Sequence, residues 1–192
     1  MTDPFELLVG RSASTLEAPG PTSEQFERLL QAATMVPDHG KLLPFRLAVV
    51  EPEGRAAFGS ALAAAAREHA PSASESALEK MSAKAFRSPA SIVLIASPKP
   101  GKIETWEQHA TAACAGYAIV LAARAMSIGA VWKSVPFTRG KALAELFAMS
   151  DAEQMFGWIH LGTSTKESAP RAAVDVAPMT IVIDGAGRRP YR

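Results

Sequence analysis

The sequence predicts a three-layer α+β domain, and three observations carry that expectation. Short, wholly apolar runs such as Leu47–Val50 and Ile92–Ile95 read as buried strands. They alternate with stretches long enough for helices, the longest from Glu104 to Ser127. No linker-like stretch divides the 192 residues, and at 48% hydrophobic they suffice for one sizeable core, so residues 1–192 are read as a single domain.

Asp3 or Pro4 to Val9 reads as a first short helix, with Phe5, Leu8 and Val9 on one face. An irregular Ser/Pro/Gly stretch from Ser12 to Pro21 follows. Thr22 with Gln25 three residues on forms a capping box. It opens a helix whose Phe26, Leu29, Leu30 and Ala33 recur at helical spacing. Pro37 ends that helix, because a proline pushes the residue before it out of the α region; the segment to Pro44 is therefore a loop. Arg46–Glu51 is the first buried strand. Glu53–His69 and Ala73–Phe86 are helical by composition, with Pro71-Ser72 as the break between them. Ser91–Ser97 is the second buried strand, closed by Pro98 and Pro100.

The helix from Glu104 to Ser127 is small or apolar on most positions, which calls for burial all round. Ala110, Ala112, Ala113, Ala115 and Gly116 allow close backbone approach, which suggests packing against a second copy as well as against the core. Ala130–Trp132 starts a third strand, Thr138–Met149 another helix, Met155–Leu161 a fourth strand, and Pro178–Asp184 a fifth apolar run.

Composition excludes several classes. Lys+Arg 20 against Asp+Glu 19 leaves no basic excess for nucleic acid or for an anionic membrane. One cysteine, Cys114, forbids an intramolecular disulfide and agrees with a reducing cytoplasm; inside the apolar helix it reads as an inert packing residue. No cationic start followed by an apolar run marks a signal peptide. The most apolar stretch, 110–123, falls short of the roughly 20 residues a spanning helix needs. A cytoplasmic protein with no membrane segment is expected.

The candidate chemistry is sparse. Arg11, with Ser12 and Ser14, stands where a helix gives way to loop: it is either a guanidinium fork for a phosphate or a cation complementing a helix end. Asp38-His39 is a triad fragment, a metal ligand, a ring clamp, or a turn residue beside a surface histidine. The four histidines show no i, i+3 or i+4 pairing, which argues against metal. No Gly-x-Ser-x-Gly elbow supports a hydrolase. Neither a P-loop nor Gly-x-Gly-x-x-Gly is present. Lys133, after Trp132 and before Ser134, is a surface lysine or a cation that would stabilise charge on a reduced flavin.

Taken jointly, Arg11-Ser12-Ala13-Ser14, Pro19-x-Pro21, Pro37-Asp38-His39 with Pro44-Phe45-Arg46, Trp106-Glu107-Gln108 and Val131-Trp132-Lys133-Ser134 resemble the nitroreductase family. Within it, the match is to the bacterial NAD(P)H nitroreductase subgroup with a Pro-Asp-His loop. The resemblance runs from about Phe5 to Thr163. It implies a central, mostly antiparallel sheet flanked by helices in an intertwined homodimer, with one FMN per site. Arg11, Ser12 and Ala13 would hold the phosphate end. Met35, where the subgroup often carries a basic residue, and His39 would reach the flavin from the other subunit. Trp132, Lys133 and Ser134 match a second flavin-binding segment, and Ala122, Ala123, Arg124, Ala125, Met126 and Ser127 match a stretch assigned to NAD(P)H.

The implied activity is hydride transfer from NAD(P)H, through the flavin N5, to nitroaromatic or quinone-like acceptors, with no side chain required as a general acid. The alternative is a flavin-binding homodimer for storage or sensing without efficient NAD(P)H turnover. A hydrolase built on Asp38 and His39 is the third reading.

Overall fold

In chain order the elements are helix α1 (Pro4–Val9), strand β1 (Leu16–Glu17), α2 (Ser23–Ala33), β2 (Phe45–Val50), α3 (Arg55–His69) and α4 (Glu75–Ser82). There follow β3 (Ala90–Ala96), α5 (Thr105–Ala125), β4 (Gly129–Lys133), α6 (Lys141–Leu146), β5 (Gln154–Ser164), β6 (Ile181–Asp184) and β7 (Gly187–Pro190). This computed structural model describes residues 4–9, 15–166, 170–185 and 187–191. Arg11, Ser12, Ala13 and Ser14 lie outside the described residues.

β5 is the centre of a five-stranded sheet in the order β1-β5-β3-β2, with β4 also on β5. Every pairing is antiparallel. β3 pairs along one side of β5. β4 and then β1 pair along the other, at Trp158–Gly162 and Thr163–Ser164. All seven residues of β3 are buried, because helices cover both faces of the sheet. On one face Phe58, Leu62 and Ala65 of α3 and Leu143 of α6 pack against Val93, Ile95 and Trp158. On the other, Leu29 of α2 and Ala115, Ile119 and Ala123 of α5 pack against Ile92, Leu94, Ile159 and Leu161. These are the three expected layers.

Local chemistry sets the boundaries. Thr22 and Gln25 form the capping box of α2, each bonding the other's backbone N–H. Pro52–Gly54 is a 3₁₀ turn, so the expected helix begins at Arg55 rather than Glu53, and Ala83–Phe86 finishes α4 as another 3₁₀ turn. The Ser12–Pro21 stretch is not wholly irregular: Leu16 and Glu17 gain partners only across the fold, on Ser164 and Thr163. The helix expected over Thr138–Met149 shrinks to six residues. Gly140 is extended and the Glu68 carboxylate caps Lys141 N–H, fixing the start; Ala148 at φ 48° ends the turn.

α5 departs from burial all round. Its sheet side is covered, but Trp106 is 70% exposed and Tyr117 42%. Cys114 is exposed rather than an inert core residue. The fifth apolar run forms a hairpin, β6–β7, with Ile181 and Ile183 exposed. No helix among the described residues is long and apolar enough to cross a membrane.

Candidate active site

The Trp132–Ser134 segment is aimed by a bulge in β5. The β3–β5 register shifts between Leu94 and Ile95, so that Gly157 opposes Leu94 and Met155 opposes Ile95. Gly157 has φ +106°, and a Cβ there would stand 2.1 Å from the Lys133 carbonyl oxygen. Only glycine lets β4 run this close. Trp132 lies over Gly116 of α5 and donates its indole N–H to the Phe156 carbonyl at 3.1 Å. Lys133 and Ser134, one and two residues on, are exposed.

The Pro37–Pro44 loop is fixed against the start of α5. His39 Nδ1 meets the Glu107 carboxylate at 2.8 Å, and the Thr111 hydroxyl donates to the Pro37 carbonyl at 3.2 Å. Asp38 does not touch His39. Its carboxylate accepts the Leu43 N–H at 2.7 Å and closes the turn, so the hydrolase pairing is absent and Asp38 is a turn residue beside a surface histidine. Lys41 and Leu43 hold φ of 54° and 45° inside that turn. Gln108, buried, bonds Lys99 N–H, Lys99 carbonyl and Ile103 carbonyl, which pins the neighbouring 97–104 loop.

A chain of contacts joins the two segments. Trp132 bonds Phe156, the Phe156 ring lies edge-on to His109 at 5.1 Å, and His109 lies between Glu107 and Thr111 in sequence on α5. His39, through Glu107, and Trp132, over Gly116, therefore both rest on α5, nine residues apart along it. Met35, 79% exposed, follows α2 just before this loop. Ala122–Ser127 lies at the far end of the helix. The span from Glu107 to Ala122 is about 22 Å at about 1.5 Å per residue. There Ala123 is buried, Arg124 bonds the Leu7 carbonyl, and Ser127 takes φ 57° in the turn to β4. Within the chain the structure does not bring this stretch to His39 or Lys133.

Arg46, at the end of the Pro44-Phe45-Arg46 motif, is paired within the chain. Its guanidinium forks onto both oxygens of Glu153, at 2.7 and 2.9 Å, and donates to the carbonyls of Phe147 and Ala148 that end α6. The hydrogen bonds from Arg46 hold the Glu153 carboxyl down at about 2, against the opposing effect of burial.

The sequence reading gave no role to the network around His160, a buried residue at the centre of the sheet. The Trp158 indole, which can only donate, gives its N–H to His160 Nε2 at 2.8 Å. The other ring nitrogen then carries the proton and donates to Ser88 Oγ at 2.7 Å, with Ser91 Oγ at 3.1 Å. Ser88 in turn donates to the Ala90 carbonyl. Burial first, and then the charges of Arg87 and Lys133, push His160 down to about 4. In sequence, His160 was one histidine among four with no spacing signal. Glu107, as the partner of His39, was legible only inside Trp106-Glu107-Gln108.

An antiparallel sheet between two helical layers, with polar loops gathered at the start of its longest helix, is an architecture that other solved proteins share. The Bacillus cereus "Nitroreductase-like Family Protein" superposes at TM-score 0.80 over 96% of this chain and 98% of that one, at 21% identity. A Desulfovibrio desulfuricans structure named "putative nitroreductase in complex with fmn" superposes at 0.67 over 94% and 96%, at 18% identity. In sequence, "Putative NAD(P)H nitroreductase YdjA" of Escherichia coli (strain K12) is 35% identical over 163 residues, 84% of this chain and 88% of that protein. Residues 11–163 match the model of the nitroreductase family. The chain belongs to that family of oxidoreductases.

Proposed function

We propose that this protein is a cytoplasmic FMN-dependent oxidoreductase, a homodimer that passes electrons from NAD(P)H to nitroaromatic or quinone-like acceptors. The observation that carries the reading is that His39, through Glu107, and Trp132, over Gly116, both rest on α5, with Lys133 and Ser134 exposed next along the chain, in a member of the nitroreductase family. The donor set fits a flavin mononucleotide. Lys133 and Ser134 are exposed, and His39 spends only Nδ1 on Glu107, so no described residue engages its Nε2. Bound there, FMN would supply hydride acceptance at N5 and delivery of electrons to the second substrate.

The roles of the chain's own groups follow from their chemistry. Lys133 would stabilise negative charge at the pyrimidine edge, and Trp132, anchored on Phe156 and Gly116, would hold that segment in register. Glu107 would orient His39. Arg11, Ser12 and Ala13 would take the phosphate, and Met35 would contact the ring from the partner. Ala122–Ser127 is offered as the NAD(P)H stretch, reached across the dimer rather than within a protomer.

Two unpartnered apolar surfaces support the intertwined homodimer. One is the outward stripe of α5, where Val36, Ala113, Cys114, Tyr117 and Leu121 line an open groove of about 400 Å³. The other is the C-terminal arm, with Val174, Met179, Ile181 and Ile183 exposed. A lone two-stranded hairpin is marginal in water, so a second copy is the natural cover.

The test is an absorbance scan of freshly purified protein, repeated anaerobically with NADPH and then NADH. The expected result is a flavin spectrum that one or both donors bleach. A flavin spectrum that neither donor bleaches would instead favour storage or sensing. A protein that stays colourless after FMN is added would defeat both readings.

A further inference from the structure

Among the described residues, His109 Nε2 is the one buried side-chain nitrogen or oxygen without a hydrogen-bond partner. Its neighbour Gln108 makes three bonds, and both ring nitrogens of His160 are engaged. An imidazole nitrogen kept from water costs free energy until something supplies its partner. His109 as a residue is only half-buried, so its ring stands between core and surface with this nitrogen turned inward.

Its place on α5 ties it to the Trp132–Ser134 segment. His109 lies seven residues, about two turns, before Gly116 and so on the same face of the helix. A Cβ at Gly116 would meet the Trp132 ring at 2.8 Å, which puts that ring on this face. β4 runs back along α5: Ile128, just before the strand, bonds the Ala123 carbonyl, and Trp132 reaches Gly116. Continuing the same way, the chain after Trp132 heads toward His109. Phe156 bridges the two, with its ring edge-on to His109 at 5.1 Å and its carbonyl accepting the Trp132 indole N–H.

The pyrimidine edge of a flavin carries an N–H between two carbonyl oxygens. It therefore matches an imidazole nitrogen as donor or as acceptor, whichever tautomer the ring adopts. The χ2 torsion of histidine is broad and two-fold, so the ring turns to present that nitrogen at little cost. We propose that His109 is a further flavin-binding residue, whose open ring nitrogen is paired by the pyrimidine edge of the isoalloxazine ring held at Trp132–Ser134. This rests on the flavin-enzyme reading above and adds a consequence to it. The nitrogen is unpaired in the flavin-free protein and paired in the loaded one, so stability and affinity respond to this residue with opposite signs.

Fluorescence quenching of FMN and of riboflavin on flavin-free protein, with thermal unfolding of that protein alongside, decides the matter. His109→Phe keeps a flat ring against Phe156 and removes the nitrogen. It should raise the melting temperature of the flavin-free protein and weaken FMN and riboflavin alike, about tenfold. His109→Gln, which carries a donor and an acceptor, should retain most of the affinity. Unchanged affinity in His109→Phe overturns the proposal, and so does a parallel fall in stability and affinity, which marks a packing role. A loss for FMN but not for riboflavin would assign His109 to the phosphate and also overturns it. Should His109→Phe fail to fold, the ring ¹⁵N resonances of the wild type decide: the His109 signal, identified by its loss in His109→Gln, should shift on adding riboflavin, and an unmoved signal overturns the proposal. Wild-type protein that binds neither flavin defeats this proposal and the flavin reading together, whereas flavin binding indifferent to His109 defeats this one alone.

Discussion

Two polar regions of this molecule contrast sharply. In one region, Arg46 is paired with buried Glu153, and buried His160 is paired with Trp158, Ser88 and Ser91, so that each of these charges and ring nitrogens has its partner within the chain. At the rim, His39 keeps one nitrogen open, and Lys133, Ser134 and Arg87 have no partner among the described side chains. Both regions contain arginine and histidine in motif-like settings. The difference is where the partner comes from: a group satisfied by the chain serves stability, and a group left unsatisfied is available to a ligand.

The sharpest way to break the contrast is Gly157→Ala, which sits between the regions. Its Cβ would collide with the Lys133 carbonyl from a left-handed backbone. A loss of about 4 kcal/mol is expected by chemical unfolding, with FMN affinity falling as well because residues 132–134 must shift. Unchanged stability would show that the β4–β5 approach is looser than described.

Next is Arg46→Ala, which leaves the buried Glu153 without its counter-charge. About 3 kcal/mol is expected, since Arg46 itself is partly exposed. The pH dependence carries the sign. Glu153 sits at about 2 in the fold against an ordinary 4.5, so its contribution is full above 4.5 and is lost as pH falls toward 2. Arg46→Ala should flatten the stability profile across that window, and a profile identical to wild type would remove the pair from the stability account.

His160 operates in a higher window. Its folded value of about 4 lies below the ordinary 6.5, so the unfolded chain takes up the proton first as pH falls. Stability is full above 6.5 and declines toward 4, by up to about 3 kcal/mol. Histidine proton shifts measured by NMR across pH 4–7 should show this residue neutral at pH 6; a protonated ring there would contradict the Trp158 hydrogen bond.

The smallest stability effect belongs to the rim. His39→Ala and Glu107→Gln each remove one exposed pair and should cost under about 1 kcal/mol. FMN affinity should nonetheless drop for both. A variant that loses stability while keeping full flavin affinity would move His39 to the structural side of the comparison.

Much of the rim was legible in the linear order of residues. Capping at Thr22 and the apolar runs locate the start of α2 and the strands, because these signals act within a few residues of themselves, whereas α2 ends at Ala33, ahead of the expected stop at Pro37. His39, Trp132 and Lys133 stood out through their motifs. The partner of Arg46 was not legible, because nothing local shows that its carboxylate lies 107 residues along the chain. Arg87 carried no signal, since nothing local marks an arginine as unpaired.

The sequence by itself determined the layered α+β class and the near-zero charge, and it offered the candidate flavin-side residues. These depend on local propensity, hydrophobic period and motif. Tertiary structure alone decided that α6 stops at Leu146, that Cys114, Trp106 and Tyr117 of α5 are exposed, and that Asp38 serves the turn. It also decided that Arg46 and His160 are paired within the chain, while the side chains of Lys133 and Arg87 have no partner among the described residues. Burial and pairing are relations between distant residues, and only the packed chain brings those residues within reach.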